Sequence, residues 1–299
     1  MTQIRTNSGG RLWFALLVVG MACTLPERIL AQSAAPQHAD VVYATVDGKD
    51  LALDIYMPPG VESPPLLIWV HGGAWSRGSK AQARLEFVEA GIATASLDFR
   101  QSTEAQFPAA IHDIKAAIRF LRANASTYGY RTDRIAISGN SSGGHYAALV
   151  GVSNGHPALE GTVGDHPNQS SDIQAIISYY GASNLTTILA QSTPFGLGVR
   201  EPALTRLLGA LPEDTKDLAE LASPVFQVDR SDPPLLLLHG DQDPQMPINQ
   251  AHELVGAYKQ LGLDVTFDVV HGSAHGGRAF HRDEHLTSAL DFLSRTIGR

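Results

Sequence analysis

Apolar and polar positions follow one another in patterns that predict alternating strands and helices from residue 41 to residue 297. Two segments with strand-like alternation flank Asp47-Gly48, a dipeptide that is a strong signal for a hairpin turn. From residue 65 onward, short continuous apolar runs indicate strands buried on both faces, and stretches with apolar residues at helical spacing separate them. Strands are predicted at residues 41–46, 51–56, 65–70, 92–97, 135–137, 173–179, 233–238 and 265–270, and helices at 80–90, 107–123, from residue 142, 247–261 and 284–297.

This order of elements predicts an α/β fold with a mostly parallel central sheet, helices on both faces, and the opening hairpin as an antiparallel edge. Between residues 183 and 231, Gly and Pro interrupt short helical pieces, so we expect a small lid-like insertion over the binding cleft. A linker at residues 34–40 leads into one domain over residues 41–299. The hydrophobic content of 43% and charged content of 17% are typical of a globular protein.

Residues 1–33 have the three-part layout of a secretory signal peptide. Arg5 and Arg11 precede an apolar run at residues 12–25, which is too short to form a comfortable transmembrane helix. We therefore expect an exported protein, periplasmic or secreted, without stable membrane insertion after processing. The alternatives are an uncleaved anchor and a lipoprotein in which Cys23, the only cysteine, is lipidated. A mature chain without cysteine fits a bacterial envelope or secreted enzyme.

The charge balance argues against a nucleic-acid partner. The chain has 22 Lys or Arg and 30 Asp or Glu, which gives a formal net charge of −8. Removing residues 1–31 deletes three arginines and one glutamate, so the mature protein would carry −10. Such a charge repels polynucleotides and anionic surfaces, and no cluster of lysine and arginine interrupts it in the sequence.

The most informative segment is the turn that carries Ser141. A β-branched run ends in Gly139-Asn140-Ser141-Ser142-Gly143, a G-x-S-x-G pattern that leads into a helical stretch. A strand-turn-helix of this kind forces the central residue into a strained conformation and exposes its hydroxyl. The flanking glycines are needed where strand and helix approach too closely for a Cβ. Ser141 is therefore a candidate nucleophile; the alternative is a serine that only caps the helix.

Three further loops with reactive residues follow predicted strands, where the functional groups of a parallel sheet are found. Along the chain, the serine comes first, then aspartates, then histidines, which is the order of a hydrolase triad on an α/β sheet. The loops read His71-Gly72-Gly73-Ala74-Trp75, His239-Gly240-Asp241-Gln242-Asp243-Pro244 and His271-Gly272-Ser273-Ala274-His275-Gly276-Gly277.

With these four motifs in order, the chain resembles the α/β-hydrolase superfamily, in particular its esterase/lipase group with an H-G-G-x-W loop. That group includes hormone-sensitive-lipase-like esterases and relatives of feruloyl and acetylxylan esterases. The resemblance extends over about residues 40–297. It implies that Ser141 is the nucleophile, Asp243 the acid and His275 the base. It also implies an oxyanion hole made by the backbone N–H groups of Gly73, Ala74 and Ser142.

Some assignments within these loops remain open at the level of sequence. Asp241 lies two residues before Asp243 and competes with it as the acid; the position of Asp243 before a helix start in the matched motif favours Asp243. Trp75 and Tyr180 follow predicted strand ends and are candidates to line the substrate pocket, with packing in the core as the alternative. Asp98, Arg100 and Asp113 are expected to form a structural charge network without chemistry.

The function expected from the sequence is an exported serine hydrolase that cleaves small-molecule or polymer-linked carboxylic esters through an acyl-enzyme, without metal or organic cofactor. The alternatives are a formamidase-like or prolyl-peptidase-like enzyme and a non-catalytic binding protein on the same fold. His281-Arg-Asp-Glu284-His285 also matches the H-x-x-E-H zinc pattern, but the sequence marks no third ligand. The acyl group and the oligomeric state are not determined by the sequence.

Overall fold

The computed structural model describes residues 35–298, and the predicted signal peptide with Cys23 lies outside this range. The strands are β1 (His38–Val46), β2 (Lys49–Tyr56), β3 (Pro65–Val70), β4 (Ala93–Leu97), β5 (Arg131–Asn140), β6 (Ala175–Tyr179), β7 (Leu235–Gly240) and β8 (Val265–Val270). The α-helices are α1 (Leu85–Glu89), α2 (Ala109–Ala123), α3 (Ala125–Tyr128), α4 (Ser142–Gly151), α5 (Pro157–Glu160), α6 (Ile188–Gln191), α7 (Pro194–Leu208), α8 (Lys216–Leu221), α9 (Pro224–Gln227), α10 (Asn249–Leu261) and α11 (Asp283–Thr296). Short 3-10 helices lie at Lys80–Gln82 and Arg278–His281. Within residues 35–298, no helix is both long enough and apolar enough to span a bilayer.

The eight strands form one sheet in the order β1-β2-β4-β3-β5-β6-β7-β8. β2 pairs antiparallel with β1 and with β4, and every other neighbouring pair is parallel. The predicted fold is therefore confirmed: a mostly parallel sheet, with an antiparallel hairpin at its N-terminal edge, lies between helices. Because the carboxyl ends of the parallel strands meet at one edge, the loops after β3, β5, β7 and β8 come together there.

The sheet is buried on both faces along its centre. Every residue of β3, β4, β6 and β7 is buried, which explains the continuous apolar runs of β3 and of the first four residues of β7. Successive side chains of β3 point to opposite faces, so that Ile68 joins one hydrophobic cluster and Trp69 joins the other. The helices that cover these two clusters hold the sheet rigid beneath the loops at its carboxyl edge.

The predicted helix at residues 80–90 is wrong in its first half. The chain forms only a 3-10 turn at Lys80–Gln82 before α1 begins at Leu85. The backbone N–H of Lys80 donates to Asp98 at 2.8 Å, and its ammonium group contacts Asp54 at 2.8 Å. Because these contacts hold Lys80 against the ends of β2 and β4, the segment cannot start a regular helix there.

Arg100 and Asp113 form a buried ion pair beneath the site. The Asp113 carboxylate has no solvent exposure and accepts from Arg100 Nη2 at 2.7 Å, from its Nε at 2.8 Å and from its backbone N–H at 2.9 Å. Asp98 does not join this pair, since its carboxylate accepts from the backbone of Lys80. The predicted charge network is therefore two separate contacts, of which the Arg100–Asp113 pair fixes α2 to the end of β4.

We expect Asp113→Ala to lower the free energy of unfolding by about 3 kcal/mol, because it leaves a largely buried guanidinium without its counter-ion. Urea denaturation measures the loss. Asp133→Ala is the matched control: Asp133 is 61% exposed and lies 3.9 Å from Arg131, so the change should stay below about 0.5 kcal/mol. Equal losses in the two variants would contradict a stabilising role for the Arg100–Asp113 pair.

Candidate active site

The turn between β5 and α4 places Ser141 in a strained backbone conformation. Its φ of 54° and ψ of −121° lie in a region that is rare for residues other than glycine. A Cβ on Gly143 would lie 2.1 Å from the carbonyl oxygen of Val70, and one on Gly139 would lie 2.4 Å from the carbonyl oxygen of Gly143. The expected need for glycine at both positions is confirmed. The hydroxyl of Ser141 forms no capping hydrogen bond with α4, which contradicts the helix-cap alternative.

The side chains of Ser141, His275 and Asp243 form one chain of hydrogen bonds across three loops. Ser141 Oγ lies 2.8 Å from His275 Nε2, and His275 Nδ1 lies 2.6 Å from Asp243 Oδ2. Since a carboxylate can only accept, Nδ1 carries the proton and Nε2 is free to accept from the serine hydroxyl. This tautomer is the one that a general base for Ser141 requires.

The Asp243 carboxylate is buried and fully occupied by hydrogen bonds. Its Oδ1 accepts from the backbone N–H groups of Gln245 at 2.8 Å and Met246 at 2.9 Å. Burial raises the pKa of Asp243, but hydrogen bonding to nearby histidines, including His275, and to the Met246 N–H outweighs this and holds the pKa well below its usual range. His239 Nε2 is nearer to the Met246 carbonyl, at 3.0 Å, than to Asp243, at 3.5 Å, and we assign its proton to that carbonyl. Asp243 therefore stays ionised beside the imidazole.

Asp241 does not reach His275. Its carboxylate accepts from His271 Nδ1 and from the backbone N–H of Gly272, both at 2.8 Å. The side chain of His271 is 83% exposed, so this pair lies at the surface. The structure thus gives the two competing aspartates separate histidine partners, and only Asp243 is in contact with the imidazole that contacts Ser141.

The loop after β3 lies beside Ser141. Gly73 and Ala74 line the same cleft as Ser141 and His275, and both have positive φ, at 138° and 53°. A Cβ on Gly73 would overlap the carbonyl oxygen of Arg77, at 1.8 Å. Ser142 is buried and is the first residue of α4, where backbone N–H groups have no partner within the helix. The oxyanion role of these three N–H groups stays a prediction.

The two residues predicted to line the pocket have different positions. Tyr180 lines the cleft, with its ring edge-on to His275 at 4.8 Å between centroids. The expectation for Trp75 was wrong: it is only 1% exposed and lies in the core. Its indole N–H donates to His145 Nδ1 at 2.9 Å, and His145 Nε2 donates to the Ala222 carbonyl at 2.7 Å. Burial lowers the pKa of His145 to about 4, so the ring stays neutral in this chain of hydrogen bonds.

The cleft has a volume of about 390 Å³ and contains polar residues that the motifs did not reveal. Asn140 accepts from the backbone N–H of Gly72 at 3.1 Å and so ties the loop after β3 to the nucleophile turn. Arg77 and Gln245 also line the cleft. The position of Asn140 in the cleft could have been predicted, because it precedes the serine in the G-x-S-x-G pattern. No sequence pattern indicates that Arg77 and Gln245 line the cleft.

Arg200, from α7, is the most unusual of the cleft residues. Its side chain is almost fully buried, donates from Nε to the Gln245 carbonyl at 3.1 Å, and lies over the Trp75 ring at 5.6 Å. Its Nη1 has no hydrogen-bond partner within residues 35–298. Burial lowers its pKa to about 10, opposed by the charge of Asp243. Arg200 and the neighbouring Val199 belong to the 183–231 segment, which forms helices α6–α9; its function as a lid stays a prediction.

The two histidines of the H-x-x-E-H pattern contact different carboxylates. His281 Nδ1 lies 3.1 Å from Glu86, and His285 Nδ1 lies 2.9 Å from Asp268. In the part of the chain that the structure describes, no three His, Cys, Asp or Glu side chains are grouped so that they could hold a metal ion. The H-x-x-E-H pattern therefore has no third metal ligand near it within residues 35–298.

We expect Asp243→Asn to slow the reaction of Ser141 with a fluorophosphonate probe by at least about 10³-fold, because the amide no longer holds the productive imidazole tautomer. Asp241→Asn is the matched control and should react within about twofold of the wild-type rate, since its partner is exposed. The rates are measured by in-gel fluorescence over time. A slow reaction of Asp241→Asn together with a near-wild-type rate of Asp243→Asn would identify Asp241 as the acid.

The chain is similar to proteins named as esterases. Residues 53–258 match the BD-FAE family model. Esterase LipQ of Mycobacterium tuberculosis (strain ATCC 25618 / H37Rv) is 32% identical over 277 residues, which cover 89% of this chain. The chain spans less than two thirds of LipQ, 64% of its length.

Two solved structures have the same fold. One is a truncated form of a carbohydrate esterase from gut microbiota, with 31% identity and a TM-score of 0.80, covering 88% of this chain and 96% of that one. The other is the esterase Est2 of Thermogutta terrifontis with propionate bound, with 26% identity and a TM-score of 0.67, covering 86% of this chain and 92% of that one. The family model spans more than half of the chain, and the fold and motifs agree with it. The chain therefore belongs to the BD-FAE family, within the esterase group of the α/β-hydrolase superfamily.

Proposed function

We propose that this protein is a serine esterase that hydrolyses carboxylic esters through an acyl-enzyme formed on Ser141. The observation that carries the proposal is the position of His275, whose ring bridges the Ser141 hydroxyl at 2.8 Å and the buried Asp243 carboxylate at 2.6 Å. Relatives and structural neighbours that are named as esterases support the same reaction.

In the first half of the reaction, Ser141 Oγ attacks the ester carbonyl carbon while His275 Nε2 takes the hydroxyl proton. The imidazolium that forms is stabilised by the ionised Asp243. Backbone N–H groups of Gly73, Ala74 and Ser142 would donate to the oxyanion of the tetrahedral intermediate. The intermediate then expels the alcohol, which receives its proton from His275 Nε2.

In the second half, water attacks the acyl-enzyme as His275 Nε2 takes one of its protons. The tetrahedral intermediate collapses, releases the carboxylic acid and returns the proton to Ser141 Oγ. Each half uses the same base in the same tautomer, so the chemistry requires only residues that the structure already brings into contact.

We also propose that the acyl group is short. The cleft of about 390 Å³ is bounded by polar side chains, among them Arg77, Asn140, Arg200 and Gln245, and offers little apolar wall. Each additional CH₂ buried in an apolar pocket would contribute about 0.8 kcal/mol, roughly a fourfold gain in kcat/KM, and this gain is lost against polar walls. A propionate complex of the Thermogutta esterase supports a small acyl site in this fold.

For the alcohol part, we propose a carbohydrate, on the strength of the similarity to a protein named as a carbohydrate esterase. Export remains part of the proposal and rests on the signal-peptide layout of residues 1–33, which lie outside the described residues. An exported enzyme with this specificity would meet its substrate as a free ester or as part of a polymer.

We expect Ser141→Ala to abolish fluorophosphonate labelling and to reduce hydrolysis of 4-nitrophenyl acetate by at least about 10³-fold, because the nucleophile is lost. Ser126→Ala, at an exposed position of α3, is the control and should keep wild-type activity. An amide analogue, acetyl-4-nitroanilide, tests the amidase alternative. A wild-type protein that cleaves the anilide faster than the acetate would overturn the esterase assignment.

For the acyl group, we expect kcat/KM for 4-nitrophenyl esters to fall from acetate through butyrate to octanoate. Steady-state rates at one pH with a common leaving group measure this series. A rise of about fourfold per CH₂ would instead indicate an apolar acyl pocket and contradict the short-acyl proposal.

A further inference from the structure

A second cavity, lined by three arginines, lies beside the catalytic cleft. Its walls are Arg84, Gly277, Arg278, His281 and Arg282, and its volume is about 390 Å³. None of the three guanidinium groups forms an ion pair with a carboxylate in residues 35–298. Among the wall residues, His281 contacts an acidic side chain, that of Glu86. In a chain with a formal net charge of −8, this cavity is a local excess of positive charge.

Two wall residues of this cavity, Arg84 and His281, pack on buried aromatic rings of the core. The Arg84 guanidinium lies over the Trp69 ring at 5.4 Å, Trp69 packs on Tyr179 at 6.3 Å, and Tyr179 packs on His281 at 5.0 Å. Trp69 Nε1, the Tyr179 hydroxyl and His281 Nε2 have no hydrogen-bond partner in the described residues. His281 Nδ1 lies 3.1 Å from the Glu86 carboxylate, and this contact helps to hold the pKa of Glu86 below its usual value.

The chemistry of these groups favours an anion. An indole N–H and a guanidinium can only donate, and Arg presents its donors in a planar fork that matches the two oxygens of a carboxylate. The three arginines outnumber the carboxylates of Glu86 and Asp268, which act on His281 and Tyr179 next to the cavity, so the cavity is positive. A carboxylate in this cavity would therefore meet a positive charge and guanidinium donors that form no ion pair within residues 35–298.

Lining residues of this cavity and of the catalytic cleft are close neighbours along two chain segments. Gln82 and His275 line the catalytic cleft, and Arg84 and Gly277, each two residues further along the same segments, line the second cavity. Two residues of extended chain span at most about 7 Å, so the two cavities adjoin along both segments.

We propose that the arginine-lined cavity is a subsite for a carboxylate on the alcohol part of the substrate, such as a uronic acid unit near the esterified sugar. This inference rests on the proposed ester hydrolysis at Ser141. The subsite contributes binding and selectivity, and the chemistry stays with Ser141, His275 and Asp243.

The test compares an acetylated xylo-oligosaccharide that carries a glucuronic acid substituent with the same oligosaccharide without it. We expect the wild-type protein to favour the acidic substrate by about tenfold in kcat/KM at low salt, with the advantage shrinking near 0.5 M NaCl. Arg278→Gln/Arg282→Gln should lose this advantage through a higher KM. Its hydrolysis of 4-nitrophenyl acetate and of the neutral oligosaccharide should remain at the wild-type rate.

Arg206→Gln/Arg230→Gln is the charge-matched control, because both arginines are exposed and lie outside the two cavities. It should keep the preference for the acidic substrate. Equal rates of the wild-type protein on both oligosaccharides, or equal losses in the two double variants, would overturn the subsite.

A binding measurement separates this inference from the proposed function. Calorimetry of Ser141→Ala with the de-esterified acidic and neutral oligosaccharides should give tighter binding of the acidic one, and Arg278→Gln/Arg282→Gln in the same background should abolish the difference. Hydrolysis of 4-nitrophenyl acetate without any preference for the acidic ligand would reject only the subsite. Preferential binding by a protein that hydrolyses no ester would reject only the esterase.

Discussion

The close approach of α4 to the ends of β3 and β5 is the packing constraint on which the whole site depends. The carbonyl oxygens of Val70 and His71 occupy the space that a Cβ of residue 143 would need, so α4 can begin directly beside the end of β3. The same contact leaves Ser141 with a positive φ and its hydroxyl on the imidazole of His275. It also brings the loop with Gly73 to the nucleophile. One glycine contact thus positions both the attacking group and the residues predicted to stabilise the oxyanion.

Much of this arrangement could be predicted because it follows from local rules. A strand buried on both faces is mostly apolar, so β3 and the start of β7 were visible as continuous runs. Loops after parallel strands share one edge of the sheet, so a serine, aspartates and histidines in such loops were expected to meet. The choice between Asp241 and Asp243 was harder, because the two aspartates are only two residues apart in the same loop. In the structure, Asp241 contacts His271 and Asp243 contacts His275.

The parts that sequence did not predict depend on contacts between distant segments. Trp75 was expected in the pocket, yet its positive φ and its buried partner His145, 70 positions away, turn the ring into the core. Arg200 comes from a segment without clear periodicity, so nothing in its neighbourhood indicated that it borders the cleft. The predicted helix at residues 80–90 was interrupted because Asp98, in the loop after β4, holds Lys80. In each case the contact that fixes the position of the residue is with a residue too distant in sequence to appear in a local pattern.

The hydrogen bonds from Trp75 through His145 to Ala222 have a consequence for how a substrate enters. They connect the loop after β3, the nucleophile helix and the 183–231 segment through groups that are nearly all buried. Moving Ala222 away would break the hydrogen bond of the buried, neutral His145 imidazole, which costs free energy. If the 183–231 segment covers the cleft as predicted, this hydrogen bond would hold it in place and a substrate would enter beside it. An enzyme built this way would not depend on a lipid interface to open its site.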